Sequence, residues 1–134
     1  MSFTVGDVLP ALSRGPLTTR QLVEYAGASL DFNRIHYDDP FAKAGGHPSV
    51  IAHGMLSMAF FGQMAHVAAR HLGPAAHIAQ LTARFKAVTY PGDEVTVTGE
   101  VTAVRPDAVE LKMIARRSDG TVTLEGSATV VVGT

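Results

Sequence analysis

The sequence predicts an α+β protein in which an antiparallel sheet curls around one long helix. Three observations predict it. The run from Gly54 to Leu72, GMLSMAFFGQMAHVAARHL, is apolar almost all round. After Gly73-Pro74 the hydrophobic period changes to two and keeps that period to Val130. Turn signals divide this second half into four segments. A helix apolar on every side must be buried or must span a membrane. Ser57, Gln63, His66 and Arg70 interrupt the run, well short of the ~18 clean apolar residues a span needs. The expectation is therefore a buried helix and no membrane span. The sheet has one apolar face, which fits the helix. A single sheet cannot cover every side of it, so a second subunit is expected.

Composition sets the bounds. The chain has 134 residues, 46% of them hydrophobic, which is ample for one core. It is read as a single domain over 1–134. The formal net charge of -1 gives no electrostatic pull toward nucleic acid. There is no cysteine, which excludes disulfides and thiolate metal sites. The N-terminal MSFTVGDVLP has no basic segment leading into an apolar one, so no signal peptide is read and a cytoplasmic location is expected.

The elements follow in order. Phe3 to Leu9 is a short apolar segment that should stop at Pro10. Gly15-Pro16 signals a turn. Thr18 and Gln21 fit a capping box. The helix after it places Leu22 and Ala26 on one face, with Val23 beside them, and Gly27 should end it. Asp38-Asp39-Pro40 starts another helix, which Gly45-Gly46 stops after about one turn. Beyond the long helix, apolar residues alternate through Ala79–Ala87, Val95–Val101, Val109–Ala115 and Val122–Val130. Tyr90-Pro91-Gly92-Asp93, Arg105-Pro106-Asp107 and Ser118-Asp119-Gly120 are turns. Four consecutive strands joined this way predict an antiparallel meander.

The chemistry concentrates in Ser29–Met55, SLDFNRIHYDDPFAKAGGHPSVIAHGM. Asp31 and His36 are five residues apart, an offset that neither helix nor strand brings onto one face. A loop can bring them together, and Asn33 and Asp38 favour turns. Histidine gives or takes a proton near neutral pH, so Asp31 and His36 form a candidate acid–base pair. Asn33 can orient either group. The plainer reading is that Asp31 and Asn33 shape a turn and His36 caps the next helix. Gly54 is the second feature. At a helix start its N–H has no internal partner, and such an amide can hold an oxygen that gains negative charge. The plainer reading there is a glycine that relieves a tight contact. None of the six histidines has helical metal-ligand spacing, so no metal is expected. Arg84 and Lys86 face either an anionic ligand or solvent. Arg34 can reach a phosphate, or is an ordinary exposed arginine.

These residues resemble a family. Tyr25–Asp38, YAGASLDFNRIHYD, looks like the signature of the MaoC-like (R)-specific enoyl-CoA hydratases, roughly Ser-Gly-Asp-x-Asn-Pro-hydrophobic-His-x-Asp. Ile51–Met55, IAHGM, is similar to the family's His-Gly-Met at the start of its central helix. Thr82–Val95 resembles the strand that follows. The resemblance covers nearly the whole chain. It implies the hot-dog fold, a long helix wrapped by an antiparallel sheet, usually as a dimer with ligand sites near the interface. It also implies reversible, cofactor-free addition of water to a trans-2-enoyl thioester, on CoA or an acyl carrier, giving the (R)-3-hydroxyacyl thioester. Carried over, Asp31 and His36 are the catalytic pair, Asn33 supports the loop at the substrate and the Gly54 amide binds the thioester carbonyl. A homodimer or a dimer of dimers is expected.

The chain departs from the pattern at three places. Leu30 replaces a glycine, and leucine resists positive φ. Arg34 replaces a proline, which should leave the loop less fixed. Gly62 replaces a serine present in some members. Two other functions compete. A hot-dog thioesterase often uses a carboxylate on the helix, and Gly54–Leu72 has none. A non-catalytic or partner-dependent subunit of a heteromeric hydratase would not need both Asp31 and His36.

Overall fold

The computed structural model describes residues 2–133. Its longest helix runs over Gly54–Leu72, 19 residues, or roughly 28 Å at 1.5 Å per residue. In chain order the elements are β1 (Val8–Arg14), α1 (Thr19–Ser29), a 3-10 turn (Arg34–His36), α2 (Asp39–Ala44), α3 (Gly54–Leu72), β2 (Ala76–Phe85), β3 (Val95–Val104), β4 (Ala108–Arg116) and β5 (Val122–Val132). One face of α3, with Phe61, Met64, Ala65 and Ala68, is fully buried against the sheet. Val97, Val101, Leu111, Met113 and Val130 meet it from the strands. The opposite stripe stays open. Met55 is 55% and Val67 42% exposed, and Ala59, Gln63 and His66 lie along the same side. The helix is therefore buried on the sheet side, as its composition predicts, and uncovered on the other. Among the described residues no helix is long and apolar enough to cross a membrane.

The sheet order is β1-β3-β4-β5-β2, every neighbour antiparallel. This corrects the expected four-strand meander. β3, β4 and β5 do form one, but β2 lies beside β5 at the far edge. The segment after Phe85 leaves the sheet plane instead of turning back. Its Lys86 and Ala87 amides donate to the Thr123 carbonyl, and its Thr89 carbonyl accepts from Ala52 N–H. The edge of β3 that a meander would give to β2 is taken by β1. That strand also runs through Pro10, where the sequence predicts a stop. Proline is tolerated because β1 is an edge strand and its register shifts between Leu9 and Leu12.

Local signals fare better. Thr18 Oγ1 accepts from Gln21 N–H at 3.1 Å and caps α1. Leu22 and Ala26 are buried, whereas Val23 is exposed. Gly27 does not end α1, which continues to Ser29. Leu30 provides the left-handed C-cap at φ 59°, the conformation that closes many helices. The expectation that leucine avoids positive φ is therefore overturned. Leu30 is exposed, so its side chain meets no obstacle there. Asp38 Oδ1 caps α2 through Phe41 N–H at 3.1 Å, and α2 ends at Gly45. Gly73 closes α3 at φ 124°.

Gly126 marks where β2 and β5 come closest. A Cβ placed there would stand 1.9 Å from the Thr82 carbonyl oxygen and 3.0 Å from Ala83 Cα. Both obstacles are backbone and cannot swing aside. Gly126→Ala should therefore cost at least about 2 kcal/mol, read as a lowered denaturation midpoint, with loss of β2 protection in hydrogen exchange.

Candidate active site

The loop after α1 is built by its own polar side chains. Asp31 N–H donates to Ser29 Oγ at 3.3 Å. Asp31 Oδ1 accepts from Asn33 N–H at 3.2 Å. Asn33 Oδ1 accepts from Ile35 N–H at 3.1 Å and caps the 3-10 turn. That turn swings His36 inward, where it is buried. Asp31 and Asn33 thus do shape a turn, and the turn delivers His36 to Asp31. His36 does not cap α2, because Asp38 does.

One oxygen of Asp31 is held by the loop, and the other faces His36. His36 Nε2 stands 3.7 Å from Asp31 Oδ2, too long for a direct hydrogen bond. His36 Nδ1 lies 2.8 Å from the Ile51 carbonyl. A carbonyl only accepts, so Nδ1 carries the hydrogen. In the neutral ring the lone pair then sits on Nε2, toward Asp31.

His36 and Gly54 line the same cleft of about 320 Å³, with Ser57, Phe85, Lys86 and Thr89 among its walls. Gly54 is the first residue of α3, so its N–H has no intrahelical acceptor. Phe85 packs directly over it. A Cβ on Gly54 would stand 2.8 Å from Phe85 Cε1. Lys86 Nζ, at the wall, is 3.8 Å from Glu125 Oε2. Ser57 is buried one turn into the helix on the cleft side. Asn33 holds the loop rather than the wall.

The sequence reading did not single out His53. It is 1% exposed and stacks on His36, with ring centroids 3.7 Å apart at 21°. Its Nε2 lies 3.2 Å from the Asp31 carbonyl, so Nε2 carries the hydrogen. Nδ1 is buried with no partner. A signal was present, since His53 is a polar residue inside the apolar run VIAHGML. Burial lowers its pKa below the ordinary 6.5, and the neighbouring His36 lowers it further. The Asp31 carbonyl and carboxylate pull the other way. Nitrogen and oxygen atoms of Asp31, His36 and His53 lie within 4.8 Å of one another. Stacked imidazoles, however, send their in-plane lone pairs along parallel planes, which do not converge on one ion.

Two departures also have structural answers. Arg34 Nε and Nη2 bind Asp38 Oδ2 at 3.0 and 2.6 Å, and its guanidinium lies 4.6 Å over the Phe41 ring. Arg34 is therefore engaged at the loop. Its hydrogen bond, with that of Phe41 N–H, holds the Asp38 carboxyl below its usual range. Gly62 lies elsewhere, in the open stripe of α3 with Leu12, Arg14 and Val67.

A five-stranded antiparallel sheet packed on one long helix is the hot-dog fold, shared with hydratases and dehydratases. The chain belongs to the MaoC-like domain family, whose model matches residues 4–122. An (R)-specific enoyl-CoA hydratase of Rhodospirillum rubrum is 38% identical over 112 residues, covering 81% of this chain and 74% of that protein. The structure of an (R)-hydratase from Aeromonas caviae superposes with a TM-score of 0.85 at 30% identity, covering 96% of each chain. A chain of the ChsH1–ChsH2 complex of Mycobacterium tuberculosis gives 0.86 at 27% identity, covering 98% of this chain and 99% of that one.

The depressed pKa of His53 has a measurable consequence. The unfolded chain takes up a proton at this residue near 6.5, the folded chain only at lower pH. The stability it contributes is complete above 6.5 and is lost as pH falls toward the folded value. Denaturation midpoints should drop between about pH 7.5 and about pH 5.5, and His53→Gln should flatten that slope.

Proposed function

We propose that the chain, as one hot-dog domain over 1–134, adds water reversibly to trans-2-enoyl thioesters, on CoA or an acyl carrier, to give (R)-3-hydroxyacyl thioesters. The observation that carries this is the Nε2 lone pair of His36 facing Asp31 Oδ2, with His36 and Gly54 lining one cleft. A water molecule lying beside the 3.7 Å line between these two acceptors can donate to both. The water oxygen bonds to C3 of the enoyl group while one of its protons passes to the pair. Charge moves through C2 to the thioester oxygen, where the Gly54 N–H receives it. The pair then returns one proton to C2, and Asp31 and His36 end as they began. Asn33 keeps Asp31 in place. The (R) outcome and the thioester class rest on the relatives' activities.

The chemistry needs no cofactor. The open stripe of α3 is the surface on which a second copy would sit, giving a homodimer or a dimer of dimers. The likeness to the ChsH1–ChsH2 complex favours a second reading, in which a related subunit completes the site.

Purified protein is given crotonyl-CoA and a longer trans-2-enoyl-CoA. Enoyl absorbance and free thiol are followed together. Loss of absorbance without thiol is expected. Thiol release would instead mean hydrolysis, and activity only after adding a related subunit would establish the second reading. Asp31→Asn and His36→Ala should each lower kcat by ~10²–10⁴ with little change in Tm. A folded, fully active His36→Ala ends the assignment.

Gly54→Ala tests the carbonyl site separately. The new methyl displaces the Phe85 ring, which is half exposed and free to swing, so the fold should survive. The methyl and the ring then crowd the thioester carbonyl, and kcat/KM should fall by about tenfold or more.

A further inference from the structure

His53 takes no part in the reaction above, yet it touches both acid–base groups. It stacks on the His36 ring, donates to the Asp31 main-chain carbonyl, and packs at 4.8 Å on Tyr25. It is also the N-cap residue of α3, immediately before Gly54. The ties of the other members are unequal. His36 is anchored independently to the Ile51 carbonyl. Asp31 is bonded to Ser29 and Asn33, which move with its own loop. Among the described residues, its one hydrogen bond beyond that loop is to His53.

Cost points the same way. A buried polar atom without a partner is unfavourable, and Nδ1 of His53 is such an atom. An apolar side chain would fill the space without that penalty. The imidazole is therefore kept for its other nitrogen and its flat face. Burial and the adjacent His36 lower its pKa, which disfavours a positive charge beside the His36 ring. His36, Asp31 and Tyr25 are the titratable groups that face it.

We infer that His53 is a positioning residue that fixes the Asp31 main chain and the plane of the His36 ring relative to the Gly54 amide. The inference rests on the acid–base reading of Asp31 and His36. A displacement of about 1 Å in such a group costs on the order of 10² in rate, so the effect should fall on kcat and spare KM.

Two measurements test it. In the unmodified protein, imidazole nitrogen NMR at about pH 8 should show His53 as the neutral Nε2–H form. An Nδ1–H form overturns the inference. In the enoyl-CoA assay, His53→Phe keeps the packing and removes the donor. It should lower kcat by about 10²-fold with KM little changed. His53→Gln, whose amide restores a donor, should recover roughly tenfold of that loss. In a His36→Ala background His53→Phe should cost little more, because it acts through the pair. Wild-type kcat in folded His53→Phe, equal losses in the two variants, or a full additional loss without His36 each overturns it. Where the variants fail to fold, the spectrum of the unmodified protein decides. If that protein hydrates no enoyl thioester, the hydratase reading fails on its own, and the spectrum still judges the contact.

Discussion

A helix as apolar as α3 has to be covered, and within this chain the sheet covers one side of it. That requirement shapes the strands. Each offers its apolar face to that helix, so the sheet wraps it on one side. β2 does not turn back onto β3. It joins the far edge instead, and Gly126 is the residue that lets its backbone lie close enough to β5. The connection from β2 to β3 then has to pass across the end of the sheet. It does so at residues 86–94, over the N-terminus of α3. The cleft is the space left by that crossing.

Polar burial in this chain is not spread through the core. Among the described residues the buried polar side chains are His36, His53, Ser57, Thr89 and Thr123. His36, Ser57 and Thr89 line the cleft. His53 stacks against its floor, and the Thr123 carbonyl receives the two amides that begin its far wall. Farther along α3 the face turned to the sheet is apolar and closely packed. Desolvation is a cost wherever it occurs, and concentrating it at one helix end leaves the rest of the core to supply stability. The same end offers the free Gly54 amide and the positive potential of the helix start. Charge that develops there meets a fixed donor in a partly dry setting, where it counts for more than in water.

Sequence reading worked where structure is local. Thr18, Asp38, Gly45 and Gly73 act within a few residues of themselves, and each stands where its type and spacing place it. The alternation of β3, β4 and β5 was legible for the same reason. Strand order was not, since a period of two says which face is buried and nothing about which neighbour covers the edge. Pro10 was misread because its meaning depends on β1 being an edge strand. Gly27 was misread because the residue that ends α1 is the left-handed Leu30. At the site, spacing showed that Asp31 and His36 need a loop to meet, and the loop does bring them together. His53 was hidden because its partners are a carbonyl 22 residues away and a ring from another element.

The departures from the family pattern have a common character. A glycine and a proline control a loop through backbone geometry alone. Here Leu30 takes the left-handed conformation that glycine takes without strain. Arg34, in place of a proline that would fix φ, binds Asp38 with two nitrogens and lies over Phe41. Asp38 is meanwhile the cap of α2. The loop that carries Asp31 and His36 is thus tied to the following helix by an ionic contact, and to α3 by His53. Restraint that comes from side chains is reversible in a way that a proline ring is not. It holds Asp31 and His36 only while those side chains keep their partners, so the geometry of the pair belongs to the packed site and not to the loop alone.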